Sequence, residues 1–336
     1  MNDAELARDS AASEPPDDKN GDRAKASPLR ARIGAMLRSP LSNLALFLLT
    51  VASTFYVGAE LSPGTGALRG WVFAVPLLAI LVTHELGHYL QARRHRVEAS
   101  LPYFLPMPLP PIGTLGAVIA MRGRIRTRNA LFDIGASGPI AGLMIAIPVL
   151  AIGLRLSTIE PIPPHGFDEG QSLFYLAMKR LVLGPIPAGY DVFLHPTAFA
   201  GWAGLFMTML NLLPIGQLDG GHVAYALFGK RQDAQSKWIH RSLLGVAAVV
   251  GVRPLVASIR AHAWTGSMDM VARLADAALQ GKNWLVWFGL LWLIGAAREH
   301  PPTDATSSLS RGRQVVAWLT LAAFVALFMP VPFSEH

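Results

Sequence analysis

The 336-residue sequence contains no cysteine. That absence excludes a disulfide framework, a thiolate metal site and a cysteine nucleophile together. Charge is also scarce: Asp, Glu, Lys and Arg make up 15% of residues, against roughly 25% in an ordinary soluble domain. No apolar run lies near the N-terminus, so no cleaved signal peptide is expected. With 52% hydrophobic residues, most of the chain has to bury itself, which excludes disorder beyond the tail. A net charge of +7 would suit a nucleic-acid partner. The basic residues, however, fall between apolar runs as in a membrane protein, so no nucleic acid is expected.

Residues 1–40 are polar and of mixed charge and read as a disordered cytoplasmic tail; residues 41–336 read as one membrane domain. Candidate spans run Leu44 to Leu61, Trp71 to Ala92, Leu131 to Leu154 and Thr197 to Leu213. Leu243 to Ile259, Trp284 to Ala297 and Val315 to Met329 are weaker against the ~20 residues that a span needs. The expected architecture is therefore an all-α polytopic membrane protein of six or seven transmembrane helices. With a cytoplasmic N-terminus, 21 of the 29 Lys and Arg residues fall on the inner side, as the positive-inside rule requires. Residues 155–196 become an external segment with a short interfacial helix from Ser172 to Leu183. The loop from Val97 to Asn129 is proline-rich, then gains strand character over Ala117 to Met121. It reads as a membrane-associated β-hairpin or re-entrant loop, whose backbone must be buried in protein or line a wet cavity.

The second span contains His84-Glu85-Leu86-Gly87-His88. On a helix, positions i and i+4 share a face, so both imidazoles can reach one metal ion while Glu85 stays free to act as a base. Ionisable groups inside an apolar helix are expensive and mark function. A catalytic zinc keeps three protein ligands and an open position, so a third ligand must come from elsewhere. The foremost candidate is Asp219, in Asn211-Leu-Leu-Pro-Ile-Gly-Gln-Leu-Asp-Gly-Gly-His222. It is delivered at the cytoplasmic end of the fourth span, at a depth similar to the histidines, with glycines allowing a tight backbone. An Asp-Gly pair taken alone reads as a helix C-terminal turn, and His222 competes as a ligand. Asp133 reads as a first-turn residue favoured by the helix dipole. His95, His165, His195, His240 and His262 read as solvated, and Tyr89 as packing against a neighbouring helix.

These motifs, with Gly135-Ala-Ser-Gly138-Pro139 in the third span, resemble the site-2 protease family of intramembrane zinc metalloproteases. The likeness is to compact bacterial, archaeal and plastid members with a Pro-Met-Pro and Gly-Thr-Leu-Gly loop, without an inserted PDZ domain. The resemblance implies one Zn²⁺ per chain held by His84, His88 and Asp219, with Glu85 as the catalytic base. It implies that Asn211 contacts the substrate backbone or the developing oxyanion, and that the Gly113 to Met121 segment pairs with the substrate as an edge strand, with Gly113, Thr114 and Gly116 as substrate-binding residues. The expected reaction is peptide-bond hydrolysis in or near transmembrane segments of membrane-protein substrates, in regulated intramembrane proteolysis. The expected location is a bacterial inner membrane, with the site towards the cytoplasm. The alternative is a membrane metal transporter or channel using the same His/Glu/Asp site; it would favour internal repeats, and none is found. A di-iron oxygenase would need further histidine boxes, and a silent scaffold would be expected to lack Glu85 or Asp219.

Overall fold

The computed structural model describes residues 39–61, 67–122, 125–163, 166–260, 281–293, 303–304 and 307–335. The expected tail lies almost wholly outside them, as do His165 and His262. The described chain is mostly helical. It runs through α1 (Pro40–Glu60), a 3-10 turn (Ala67–Gly70) and α2 (Trp71–Arg94) into β1 (Glu98–Ala99), β2 (Tyr103–Pro106), β3 (Thr114–Val118) and β4 (Met121–Arg122). Then come α3 (Arg128–Leu156), β5 (Thr158–Pro161), β6 (Phe167–Glu169), α4 (Leu173–Leu183) and β7 (Tyr190–Phe193). The chain continues through α5 (Pro196–Asn211), α6 (Asp219–Phe228), α7 (Arg231–Arg260), α8 (281–293), α9 (Arg311–Leu327) and β8 (Phe333–Glu335).

Among the described residues, three helical segments are long and apolar enough to cross a membrane: Pro40–Glu60, Leu68–Arg94 and Arg128–Leu156. They coincide with the first three expected spans. The fourth, α5, has 16 residues and buries most of them inside the protein. Hydropathy does not distinguish a helix wrapped in protein from one facing lipid, so the expected number of spans exceeds the number of helices that satisfy both length and composition.

Close helix approach builds the centre. Gly87 of α2 faces the Ser137 carbonyl of α3, where a Cβ would come within 2.5 Å of the oxygen. Gly201 of α5 lies against the backbone of Leu150 in α3, at 2.7 Å for the same added atom. Such small-residue contacts let backbones pack by van der Waals attraction where lipid supplies no hydrophobic drive. An aromatic column runs along α5. Phe199, Trp202 and Phe206 stack at centroid distances of 5.3 and 5.6 Å, and Phe73 of α2 joins at 5.9 Å. Trp202 is fully buried, and its indole N–H donates to the Gly170 carbonyl at 2.8 Å.

The segment between α2 and α3 pairs β2 with β3 in an antiparallel ladder, Tyr103 opposite Val118 and Pro106 opposite Thr114, with an irregularity between Phe104 and Pro106. The strand therefore starts three residues earlier than the expected Ala117. Gly113, at φ +83°, supplies the left-handed backbone that enters β3. The ladder is tied to α1: Asn43 Nδ2 donates to the carbonyls of Leu101 (3.0 Å) and Pro102 (2.9 Å), and the Ser53 hydroxyl donates to the Gly113 carbonyl.

Beyond α3, β5 pairs with β7 and β6 with β8. The Ser172 side chain caps α4 by accepting from Tyr175 N at 3.1 Å. On α4, buried Lys179 reaches Glu169 at 3.0 Å and Asp191 at 3.4 Å, and the Tyr175 hydroxyl donates to Glu169 at 2.8 Å.

Trp202→Ala should lower stability by about 3–5 kcal/mol, the usual loss for a large buried aromatic. Trp202→Phe should lose less, since only the Gly170 hydrogen bond and part of the ring go. Thermal unfolding of the purified protein in detergent checks both; equal melting temperatures for wild type and Trp202→Ala would contradict the packing described.

Candidate metal centre

α2 carries His84, Glu85 and His88 into the interior, with His84 and Glu85 each only 5% exposed. The helical repeat sets the two imidazoles on one face, ring centroids 4.9 Å apart, with their Nε2 atoms at 3.1 Å. His88 Nδ1 lies 2.7 Å from the Ile134 carbonyl of α3. A carbonyl only accepts, so this nitrogen carries a proton, and in the neutral imidazole Nε2 is the nitrogen left to bind a metal. Gly138, one helical turn along α3, faces the same ring, and a Cβ there would collide with the His88 imidazole.

Asp219 supplies the third atom. Its Oδ2 is 3.2 Å from Nε2 of both histidines. From the sequence it is expected at the cytoplasmic end of the fourth span; in the structure α5 stops at Asn211, a compact turn follows, and Asp219 opens α6. A carboxylate in a first helical turn is favoured by the helix dipole. The glycines after it serve a different purpose from the one expected. Neither has positive φ. Both are helical and lie against the turn, where a Cβ on Gly221 would come within 2.6 Å of the Ile215 carbonyl and one on Gly220 within 2.7 Å of the Leu213 carbonyl. Close approach, not left-handed backbone, demands them.

The ligand-type atoms of His84, His88 and Asp219 all lie within 4.8 Å of one another. Two imidazole nitrogens and a carboxylate oxygen form a zinc-type donor set. Their separations of 3.1–3.2 Å suit donors around one ion held at the usual ~2.0–2.2 Å bond length. Lone pairs brought this close in a buried site repel unless a cation or protons lie among them, so the residues fit a metal ion. Asn211 Nδ2 stands 3.2 Å from His84 Nε2. Glu85 is outside the three-atom group yet lines the same cavity, of about 150 Å³.

His222 also lines that cavity. It sits one turn beyond Asp219 on α6, with its Cβ so close to Gly135 that a side chain there would meet it at 2.6 Å, and it does not join the three-atom group. Gly113, Thr114 and Gly116 do not line the cavity; Ala117, Val118, Ile119 and Met121 do. The Thr114 hydroxyl is spent inside the ladder, donating to the Leu105 carbonyl at 2.8 Å and accepting from Gly116 N at 3.0 Å. Asp133 is more than a dipole residue. It takes two bonds of 2.7 Å from Arg313 of α9 and a third contact of 2.8 Å from His95. His240 is likewise not solvated but buried, stacked on Phe288 and 3.1 Å from its carbonyl. Tyr89 bonds to Arg93 on its own helix at 3.1 Å. The Ile134 carbonyl was missed in the sequence, because a backbone acceptor leaves no residue signature.

The model of peptidase family M50 ("Peptidase family M50") matches residues 72–252, which include all three donors. The chain is 33% identical over 256 residues to the probable zinc metalloprotease EGY1, chloroplastic, of Arabidopsis thaliana, covering 65% of this chain and 46% of that protein. It is 30% identical over 256 residues to the probable zinc metallopeptidase EGY3, chloroplastic, of the same plant, covering 69% and 43%. With the probable zinc metalloprotease EGY2, chloroplastic, of Oryza sativa subsp. japonica it shares 31% over 181 residues, 52% of this chain and 32% of that one. The chain thus spans less than half the length of these curated relatives. No solved structure matches it. With the family match covering more than half of its residues and centred on the site just described, the chain belongs to peptidase family M50, the site-2 protease family.

Proposed function

We propose that the chain is an intramembrane zinc metalloprotease that hydrolyses peptide bonds in or near transmembrane segments of membrane proteins. The observation that carries this reading is the convergence of His84, His88 and Asp219 beside Glu85 in one buried cavity. Membership of a peptidase family leaves the metal transporter or channel without support of its own.

In this proposal His84, His88 and Asp219 hold one zinc ion. When bound, zinc supplies Lewis acidity towards water and towards a scissile carbonyl. Glu85, one residue along from His84, takes the proton from the attacking water and passes it to the leaving amine. The Ile134 carbonyl keeps His88 in the tautomer that offers Nε2. Asn211 lies close enough to the donors to contact the substrate backbone or the oxygen that gains charge. A substrate helix unwinds and adds as a strand beside β3, whose ladder partner is β2, with Ala117 and Val118 as the β3 residues next to the cavity. The proposed topology has six or seven spans, a cytoplasmic N-terminal tail over residues 1–40, a membrane-associated hairpin or re-entrant loop and the zinc nearer the cytoplasmic face. The proposed location is a bacterial inner membrane.

Glu85→Gln should keep zinc and fold and lower cleavage of a transmembrane substrate by about 10²–10⁴-fold, because the proton shuttle alone is lost. Near wild-type turnover by the purified variant would remove Glu85 from this role.

Asp219→Asn should lower zinc content and cleavage together, since a neutral amide is a poorer ligand than a carboxylate. Chelation of the wild type should abolish cleavage, and added zinc should restore it. Elemental analysis showing full zinc retention with intact activity in Asp219→Asn would pass the ligand role to another group.

Orientation can be read on a chain that has no native cysteine. An impermeant thiol reagent applied outside intact cells should label Glu160→Cys and spare Arg94→Cys, two exposed positions, until the membrane is opened. The reverse pattern would invert the proposed topology.

A further inference from the structure

The turn between α5 and α6 carries a site residue at each end, Asn211 and Asp219. Its internal bonds are short-range: Ile215 N donates to the Leu213 carbonyl at 2.7 Å, and Leu218 N to the Ile215 carbonyl at 3.1 Å. Bonds of that kind shape a turn but do not fix where it sits. The turn's apolar side chains Leu212, Leu213 and Ile215 are buried in the core, and two polar side chains from the first turns of α7 bond directly to its backbone. Gln232 Nε2 donates to the Pro214 carbonyl at 2.8 Å, and Gly216 N donates to the Ser236 hydroxyl at 2.7 Å. The two residues are i and i+4 on one helix face, and they are 1% and 2% exposed. Gly229, at φ +62°, turns the chain between α6 and α7. Asp219 is therefore held from both directions: its helix leads into α7, and α7 reaches back to the turn that precedes it.

We propose that Gln232 and Ser236 are positioning residues that fasten the Pro214–Gly216 turn, so that Asn211 and Asp219 face the two histidines together. The inference rests on the zinc protease reading above, but concerns residues that touch neither metal nor substrate. A space-filling role would not call for these side chains. A methionine would fill the space of Gln232, but only the amide can donate to the Pro214 carbonyl. What the amide provides is its single bond to the Pro214 carbonyl. Groups that orient metal ligands typically change metal affinity by about 10- to 100-fold when removed.

The test uses the full chain in detergent, as wild type, Ser236→Ala, Gln232→Met, Ser236→Thr and the ligand variant Asp219→Asn. Zinc affinity is measured by competition with a chromophoric chelator, backbone order by amide hydrogen exchange, and stability by melting temperature. Ser236→Ala and Gln232→Met should bind zinc about 10- to 100-fold more weakly. They should exchange faster over residues 212–219 while α2 exchanges as in wild type, and kcat should fall more than KM rises. Ser236→Thr keeps the hydroxyl and should stay near wild type. Wild-type zinc affinity and exchange in both variants would overturn the proposal. So would uniformly faster exchange through every helix with a proportionate fall in melting temperature, the mark of a purely structural role. If no form binds zinc while Ser236→Ala still loosens 212–219, the zinc reading fails and the fastening of the turn stands.

Discussion

Three electron-pair donors, two imidazole nitrogens and one carboxylate oxygen, lie 3.1–3.2 Å apart inside an apolar helical interior. Everything else in the fold can be ranked by how it bears on that constraint. Burying such groups without a cation or protons among them is costly, and the cost rises as water is excluded. A fold that holds them in place must therefore draw its stability from elsewhere and leave the donors little freedom to turn away.

Helix packing supplies both. Gly87 and Gly138 remove the side chains that would separate α2 from α3, and the backbones meet closely enough for the Ile134 carbonyl to reach His88. The same closeness orients the ring: a hydrogen bond from Nδ1 leaves only Nε2 to face the site. α5, with its aromatic column, fills the core behind α2 and ends at Asn211 beside His84. The Asp133–Arg313–His95 cluster joins α3 to α9 and to the end of α2, one residue before the carbonyl that orients His88. Ion pairs of this kind, with both partners partly buried, are strongly hydrogen-bonded because single buried charges are not tolerated.

The placement of the ladder has a chemical consequence. Gly113, Thr114 and Gly116 are engaged in forming the ladder and its tie to α1, so the strand arrives with its backbone already fixed. Beyond them, Ala117, Val118, Ile119 and Met121 are the ones beside the donors. The conspicuous Gly-Thr-Leu-Gly stretch thus builds the support, and the plainer apolar run after it faces the cavity.

Local geometry was legible in the sequence. His84 and His88 had to share a helix face because the helical repeat places i and i+4 together, and the first three spans were legible because long apolar runs need no tertiary information. Even the partnership with Asp219 was legible as a residue type, since zinc chemistry asks for a third ligand and a carboxylate stood at a break between apolar runs. Helix packing, which the sequence does not display, makes Asp219 begin a helix rather than end one, sets Gly220 and Gly221 in close approach to the turn, and leaves His222 outside the three-atom group. Asp133 and His240 give no sign of their partners within their own helices, because Arg313 and Phe288 lie 180 and 48 positions away. The physical reason is the same in each case. Periodicity and composition report what a residue does to its own helix, whereas the backbone carbonyl, the glycine gap and the distant counter-charge exist only once separate helices have been brought within a few ångströms of each other.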